Sequence, residues 1–422
     1  MSGEDKEQVQ VVESSLLFET HTIWVLLLLL AVAIWNRFIP LIIISVFLLV
    51  LFILILTWKR LSLNNIEPTL QLSKSRLFVD EKFLIYASVH NDKFLPLVWL
   101  EWSFPSSQEV RIEDSTGDRF TIRLLWLLSF QKVKWTSEGT ALRRGVYDIG
   151  QVTLRSGDGF RFAETEQTYT LEGKLYVYPK LVDVDVSGFR PSKQWGVRGK
   201  QGGFIEDPLL VIGIREYQSG DELRRLNWRA SVRTGKLQTN VSQPVVMEQL
   251  LIYIDVQGFI INEKKYDNII KQQEYVAVQN ESYELFLSLI ASVAVKHKEQ
   301  GISIGFASNG LNYINEKMVN ILPSKNLTPF LDQLAQITQR LGVRGMGPLD
   351  EMLHKGQLNI PLFVFCHHIT EEHYLWYHQH KQKLSEVCFY YKEETDYAGH
   401  LAAVAKPIDM PLTSMASSGR GS

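Results

Sequence analysis

The segment from Gly213 to Leu237 gathers the side chains of this chain best suited to hold charge. Six are basic (Arg215, Arg224, Arg225, Arg229, Arg233 and Lys236) against three acidic ones, Glu216, Asp221 and Glu222. Guanidinium forks grip carboxylates and phosphates through paired hydrogen bonds, so such a set serves either as an anion-facing patch or as an internal arginine–carboxylate network. The turn Ser219-Gly220-Asp221 predicts that Asp221 caps a short helix carrying Arg224, Arg225 and Trp228. Spacings of three and four bring both arginines onto the face of Trp228. On this reading Arg215, Asp221 and Trp228 are structural, with Asp221 paired to a neighbouring arginine and Trp228 packed, while Arg224 and Arg229 point outward and are open to a partner.

A second group lies towards the C-terminus. His367, His368, His373, His378 and His380 are five of the ten histidines, and Cys366 adjoins them. Imidazoles and a thiolate could ligate zinc. However, His373 and His378 stand about 140° apart around a helix, and only His373 and His380 share a face. With no H-E-x-x-H pattern, the segment reads as a solvated, aromatic-rich helix. The stretch from Val184 to Gly203, with Arg198-Gly-Lys-Gln-Gly-Gly203, reads as a flexible loop lacking the order of a phosphate-binding loop. No Ser-His-Asp order, nucleophile elbow, glycosidase carboxylate pair or cofactor fingerprint can be assembled. No catalytic residue and no cofactor is therefore assigned.

The elements that must position these residues belong to a chain of 422 residues, 45% hydrophobic and 21% charged, which is long enough for two or three domains. A formal net charge of -2 supplies no global attraction to nucleic acid, and none is expected as a partner. Two cysteines, Cys366 and Cys388, are too few for a disulfide framework and agree with a reducing compartment.

From Phe38 to Trp58 only Pro40, Ser45 and Thr57 interrupt an apolar run that, as a helix, matches a hydrocarbon core about 30 Å thick. Ile23 to Trp35, extended back to Leu16, predicts a second span with Glu19 and His21 near its end. Ala31-Val-Ala33 looks like a signal-peptide cleavage site, but the leading Glu4, Asp5, Glu7, Glu13 and Glu19 against Lys6 carry the wrong charge for one. Only Asn36 and Arg37 separate the two runs, so a transmembrane hairpin is expected. Lys59, Arg60, Lys74 and Arg76 beyond it place the soluble body in the cytoplasm by the positive-inside rule, with Trp24, Trp35 and Trp58 as interfacial anchors.

Two-residue alternation then recurs in Leu77-Phe-Val79, Phe83 to Val89, Leu97 to Trp102, Phe120 to Leu124, Val146 to Ile149 and Leu175 to Tyr178, which predicts an all-β sandwich. From Leu250 the texture changes. Leu250 to Asp255, Ile302 to Ala307 and Leu362 to Phe365 read as strands, and Tyr283 to Lys298 and Leu327 to Leu341 as helices, giving an α/β sheet with crossovers. The expected organisation is an acidic tail (1–15), a transmembrane helical hairpin (16–58), an all-β, Ig-like sandwich domain (66–180), a linker with the charged segment (181–249), an α/β domain (250–406) and a disordered tail (407–422).

Arg215, Tyr217, Gly220, Asp221, Arg225, Trp228 and Arg233 resemble the signature of a bacterial family called domain of unknown function 58. Leu226, Asn227 and Val232 depart from it, Asn227 standing where the family has Asp. Arg143-Arg-Gly-Val-Tyr-Asp-Ile-Gly150, Ser156-Gly-Asp-Gly-Phe160 and Val177-Tyr-Pro179 are similar to further segments of that family, with Gly159 in place of its Pro. The resemblance implies a von Willebrand factor A-like fold for the α/β domain. It also implies partnership with a MoxR-type AAA ATPase and a transglutaminase-like membrane protein. Metal-binding members of that fold end their first strand in D-x-S-x-S, whose oxygens suit Mg²⁺. Here Asp255 is followed by Val256, Gln257, Gly258 and Phe259, and a later strand ends Phe365-Cys-His-His368 where such domains commonly have Asp. The resemblance thus implies a degenerate site at Asp255 that holds no metal. The expected function is a non-catalytic adaptor in a bacterial cell membrane, in contact with the lipid bilayer. The alternative is a metal-dependent hydrolase or receptor using Asp255 and the cluster from His367 to His380.

Overall fold

The two apolar runs form helices α1 (His21–Trp35) and α2 (Ile39–Ser62), joined by a turn in which Arg37 takes a φ of 51° and Pro40 enters the first turn of α2. The computed structural model describes residues 21–105, 108–113, 122–159, 161, 164–189, 205–218, 226–245, 249–262, 265 and 268–408, with backbone alone for 205–212 and 241–245. Among these residues α2 is the helix long and apolar enough to cross a membrane, at 24 residues or about 36 Å. α1 is as apolar but spans 15 residues, and its expected extension back to Leu16 lies outside the described residues. The chain divides into two compact units, Met1–Lys180 and Leu181–Ser422.

The first unit is β-rich. Its strands are β1 (Ile66–Leu72), β2 (Arg76–Phe78), β3 (Lys82–Asn91), β4 (Leu97–Ser103), β5 (Val110–Glu113), β6 (Ile122–Leu127), β7 (Lys132–Ala141), β8 (Gly145–Asp148), β9 (Gln151–Gly157), β10 (Glu164–Thr170) and β11 (Lys174–Tyr178). They build two antiparallel four-stranded sheets, β1-β3-β7-β5 and β10-β9-β4-β6, and a three-stranded sheet β2-β11-β8. Alternate residues of β3 (Phe83, Ile85, Ala87, Val89) and of β4 and β9 (Leu100, Trp102, Val152, Leu154) meet in one core, as the period of two requires. Leu63 and Ile66, just after α2, join that core, so three residues link helix to sheet.

The second unit opens with a 3-10 turn, Val186–Phe189, and continues with β12 (Ile205–Glu216), α3 (Trp228–Thr234), β13 (Gln238–Val245) and β14 (Gln249–Ile254). A 3-10 turn at Gln257–Phe259 precedes α4 (Ile269–Glu299), followed by β15 (Ser303–Ser308), β16 (Gly310–Asn312), β17 (Ile321–Ser324), α5 (Thr328–Gln336) and β18 (Ile337–Leu341). The remainder is α6 (Gly347–His354), β19 (Leu362–His368), α7 (Glu371–His380), β20 (Val387–Glu393), α8 (Asp396–His400) and β21 (Ala405–Pro407). The main sheet runs β17-β15-β14-β19-β20-β21, with β17 antiparallel and the other pairings parallel. Its central strands β14 and β19 are buried from Leu250 to Ile254 and from Leu362 to His367, which explains their apolar runs.

Several expectations are corrected. The helix expected over Leu327 to Leu341 stops at Gln336, because Ile337-Thr-Gln-Arg-Leu341 pairs with β16 as a strand. α4 begins at Ile269 rather than Tyr283. The stretch from Val184 is no flexible loop as far as Phe189, whose ring packs 4.7 Å from Tyr390 and 6.0 Å from Phe365, while Phe189 O contacts His297 Nε2 at 2.8 Å. Residues 190–203 of that stretch lie outside the description. The segment 181–249 is more than a linker, since β12 and β13 form an antiparallel pair within it. Pro407 ends β21 instead of opening a disordered tail.

Candidate functional site

Two places bring the sequence-predicted residues together. In the charged segment, Ile214-Arg-Glu216 ends β12, and Gln238 to Asn240 pair with it from β13. The helix between them is capped by Asn227, whose Oδ1 accepts the Ala230 amide at 3.0 Å while its Nδ2 donates to Asn240 Oδ1 at 2.8 Å. An asparagine caps a helix as well as an aspartate would. Gly235, at φ 69°, closes the helix with its amide on Ser231 O, the left-handed C-cap that favours glycine. The helix therefore starts at Trp228, not at Asp221. Gly220, Asp221, Arg224 and Arg225 lie outside the described residues.

Trp228 is not packed, contrary to expectation: it is 67% exposed, and Val232 is 84% exposed. α3 meets the hairpin through buried Ser231, which accepts the Gln238 amide at 2.8 Å, and a two-stranded ribbon offers no second layer for an indole. Trp228 and Val232, four apart, form an apolar stripe, and the exposed Arg229 and Arg233 form a basic one beside it. Arg215 is exposed, with Nη1 donating to Glu216 O at 3.1 Å. Tyr217 is half-buried, its amide on Leu237 O at 2.9 Å.

The other place is the carboxyl end of β14. Asp255 is 2% exposed. Its Oδ1 accepts the Gln257 amide at 2.9 Å and Asn309 Nδ2 at 2.5 Å, and its Oδ2 lies 3.2 Å from Nε2 of fully buried His373. That last contact has the proximity of a charge pair without the alignment of a well-formed hydrogen bond. His373 Nδ1 accepts the Thr370 amide at 3.1 Å, which places the ring proton on Nε2, facing Asp255. Burial pushes the Asp255 carboxyl up, but His373, the Gln257 amide and Asn309 outweigh it and hold the carboxyl below its ordinary value. Asn309 Oδ1 accepts the Val256 amide at 2.9 Å, and Tyr253 donates its hydroxyl to Gly345 O at 2.8 Å. Burial, then Asp255, pushes the Tyr253 and Cys366 groups well up, so both stay neutral.

The positions where D-x-S-x-S would present hydroxyls are filled otherwise. Gln257 Oε1 accepts the Gly345 amide at 3.3 Å, and the Phe259 ring is buried 4.8 Å from Phe286 and 4.9 Å from His367. Gly258 is required by close approach, because a Cβ there would stand 2.4 Å from His367 Cβ. His367 and His368 end β19, and burial lowers the His367 pKa against the pull of Glu393. His373 and Trp376 are buried, so α7 is not simply a solvated helix. Its other histidines face elsewhere, His378 against Tyr374 at 4.4 Å and His380 against Trp376 at 5.3 Å. Among the described residues no three His, Cys, Asp or Glu side chains converge as metal ligands. Cys366 and Cys388 sit on adjacent strands three register positions apart, about 10 Å, and both are free thiols.

The sequence reading missed the pairing of Asp255 with His373 and the part of Asn309. A signal existed: Asp255, Asn309 and His367 all stand at or just beyond the carboxyl ends of neighbouring parallel strands, where such sheets gather polar groups. The arrangement seals a carboxylate inside the sheet edge, where it fixes strand ends to α7.

The second unit has the architecture of an α/β protein with a polar cluster at its strand ends, carried with a β-rich unit behind an apolar helix. No family model matches the chain. An uncharacterized protein of Bacillus subtilis (strain 168), YeaD, is 21% identical over 263 residues, covering 62% of this chain. The chain spans 58% of that relative's length. Among solved structures, the CARDB domain of the PF1109 protein from Pyrococcus furiosus is similar over 26% of this chain and 93% of its own at 13% identity, with a TM-score of 0.18. The C-terminal domain of wzt is similar over 28% of this chain and 75% of its own at 10% identity, with a TM-score of 0.19.

Proposed function

We propose that the chain is a membrane-anchored, non-catalytic adaptor of the domain of unknown function 58 type, whose α/β domain is von Willebrand factor A-like and engages a MoxR-type AAA ATPase. In this reading α1 and α2 form a two-span anchor, the body is cytoplasmic, and a transglutaminase-like membrane protein is a further partner. The observation that carries the reading is the stripe of Trp228 and Val232 beside Arg229 and Arg233. An exposed tryptophan flanked by arginines has the composition of an interface centre. Internal use of every Asp255 oxygen supports an adaptor over metal-dependent hydrolysis.

The test is co-purification of the ATPase with the full chain extracted from membranes. Trp228→Ala combined with Val232→Ala removes exposed side chains, so stability should change by less than about 0.5 kcal/mol each. Interface tryptophans contribute about 2 kcal/mol or more, so capture should fall by more than about tenfold. Undiminished capture by a folded double variant would overturn the proposal.

A further inference from the structure

We propose that the two loops at the α2 end of the first unit, Lys93–Leu95 and Leu128–Phe130, form an aromatic surface that dips into the interfacial layer of the bilayer that α2 enters. The inference rests on the reading of α2 as a membrane span.

These loops are built around the end of that helix. Lys93 Nζ donates to Ser62 O, the last carbonyl of α2, and to Asn64 O at 2.7 Å, while the Asp92 amide donates to Asn65 O at 3.0 Å. The loops are also tied to each other. Ser129 Oγ donates to Phe94 O, the Phe130 amide donates to Lys93 O at 3.3 Å, and fully buried Asn91 donates to both Leu95 O and Leu128 O. Burial against the helix end pushes the Lys93 amine down to about 8. The lysine thus satisfies carbonyls that α2 leaves open, and it fixes the loops at the level where the helix exits.

What the loops present outward is apolar. Phe94 is 84% exposed, Leu128 65% and Phe130 60%, with Trp126 at 74% on the adjoining end of β6. Phe130 holds φ at 57°, a conformation costly for a bulky residue, while its side chain stays mostly exposed. Large aromatic rings in water cost free energy, whereas Trp and Phe beside basic residues match the headgroup boundary. The basic residues are there: Lys59 and Arg60 in the last turns of α2, and exposed Lys132 where β7 begins. The three-residue link between α2 and β1 keeps the surface within reach of the membrane the helix crosses. The occupant is therefore the bilayer interface rather than a second protein.

The test uses the full chain in liposomes containing anionic lipid and a lipid-borne quencher, with single-site fluorophores on Phe94→Cys and Phe130→Cys, in turn, in a background where Cys366 and Cys388 are serine. Lys82→Cys marks the opposite end of β3, about 30 Å away, and Phe47→Cys marks the middle of α2. Labels at 94, 130 and 47 should be quenched severalfold more than the label at 82. Quenching at 47 with none at 94 and 130 overturns this inference and leaves the anchor standing. No quenching at 47 overturns the anchor and the inference with it. Equal quenching at 82 and 94 also overturns it, since the contact would not be specific to the loops.

Discussion

Asp255→Asn isolates the proton arrangement of the buried network. The Thr370 amide on Nδ1 of His373 leaves that ring's proton on Nε2, 3.2 Å from Asp255 Oδ2. Asparagine keeps one oxygen for the Gln257 amide and Asn309, but turns an NH₂ group towards the Nε2 proton. The other tautomer would set Nδ1–H against the Thr370 amide and leave it the Thr370 hydroxyl oxygen, 2.8 Å away, as acceptor, so a change of tautomer recovers only part of the loss. The Nε2 proton already lacks a well-aligned acceptor, so the change removes the attraction of the carboxylate and sets two buried donors against each other, a loss of about 3 kcal/mol. Asp255→Ala strips all three donors and should cost about 3–5 kcal/mol. Hydrogen exchange of the full chain, followed by mass spectrometry, reads this directly. Protection of peptides covering β14 and the start of α7 should fall by more than about a hundredfold. Acid gives a second reading. The folded carboxyl lies below its ordinary value of 3.8, so its contribution is complete above pH 3.8 and is lost as pH falls through the lower folded value. The gap between wild type and Asp255→Asn should therefore close on acidification below pH 3.8. Wild-type protection in Asp255→Asn at neutral pH would refute the proton assignment.

Two further substitutions test single contacts. Asn227→Ala should cost about 1 kcal/mol and raise exchange at the Ala230 amide, whereas Asn227→Asp should keep the cap, since either side chain offers an oxygen there. Gly258→Ala forces a Cβ to within 2.4 Å of His367 Cβ, and should lower the thermal midpoint by an amount equivalent to about 1–3 kcal/mol.

What the sequence made legible follows from periodicity. The buried strands Leu250 to Ile254 and Leu362 to Phe365, and the alternation of Phe83 to Val89, state their burial in their own side chains. Strands such as β10, Glu164-Thr-Glu-Gln-Thr-Tyr-Thr170, are polar along nearly their whole length and owe their place to pairing with β9. Ile337 to Leu341 reads as helix because its apolar residues continue the helical spacing of α5, while its partner β16 lies more than twenty residues away. The exposure of Trp228 was illegible for a related reason. A tryptophan on a predicted helix is ordinarily packed, whereas this one stands on a helix beside a two-stranded ribbon and is exposed. Asp255 is legible as an acid at a strand end, but its imidazole partner stands 118 positions further on, beyond any spacing rule.

That separation bears on how the second unit folds. Asn309 reaches Asp255 across 54 residues, and His373 across more than twice that. Each contact requires a long loop to close before its hydrogen bonds repay the entropy, so the cluster forms only once β14, β15 and β19 are aligned. Burying that carboxylate without its donors is costly, so the register in which β14, β15 and β19 align is the one that brings Asn309 and His373 to it.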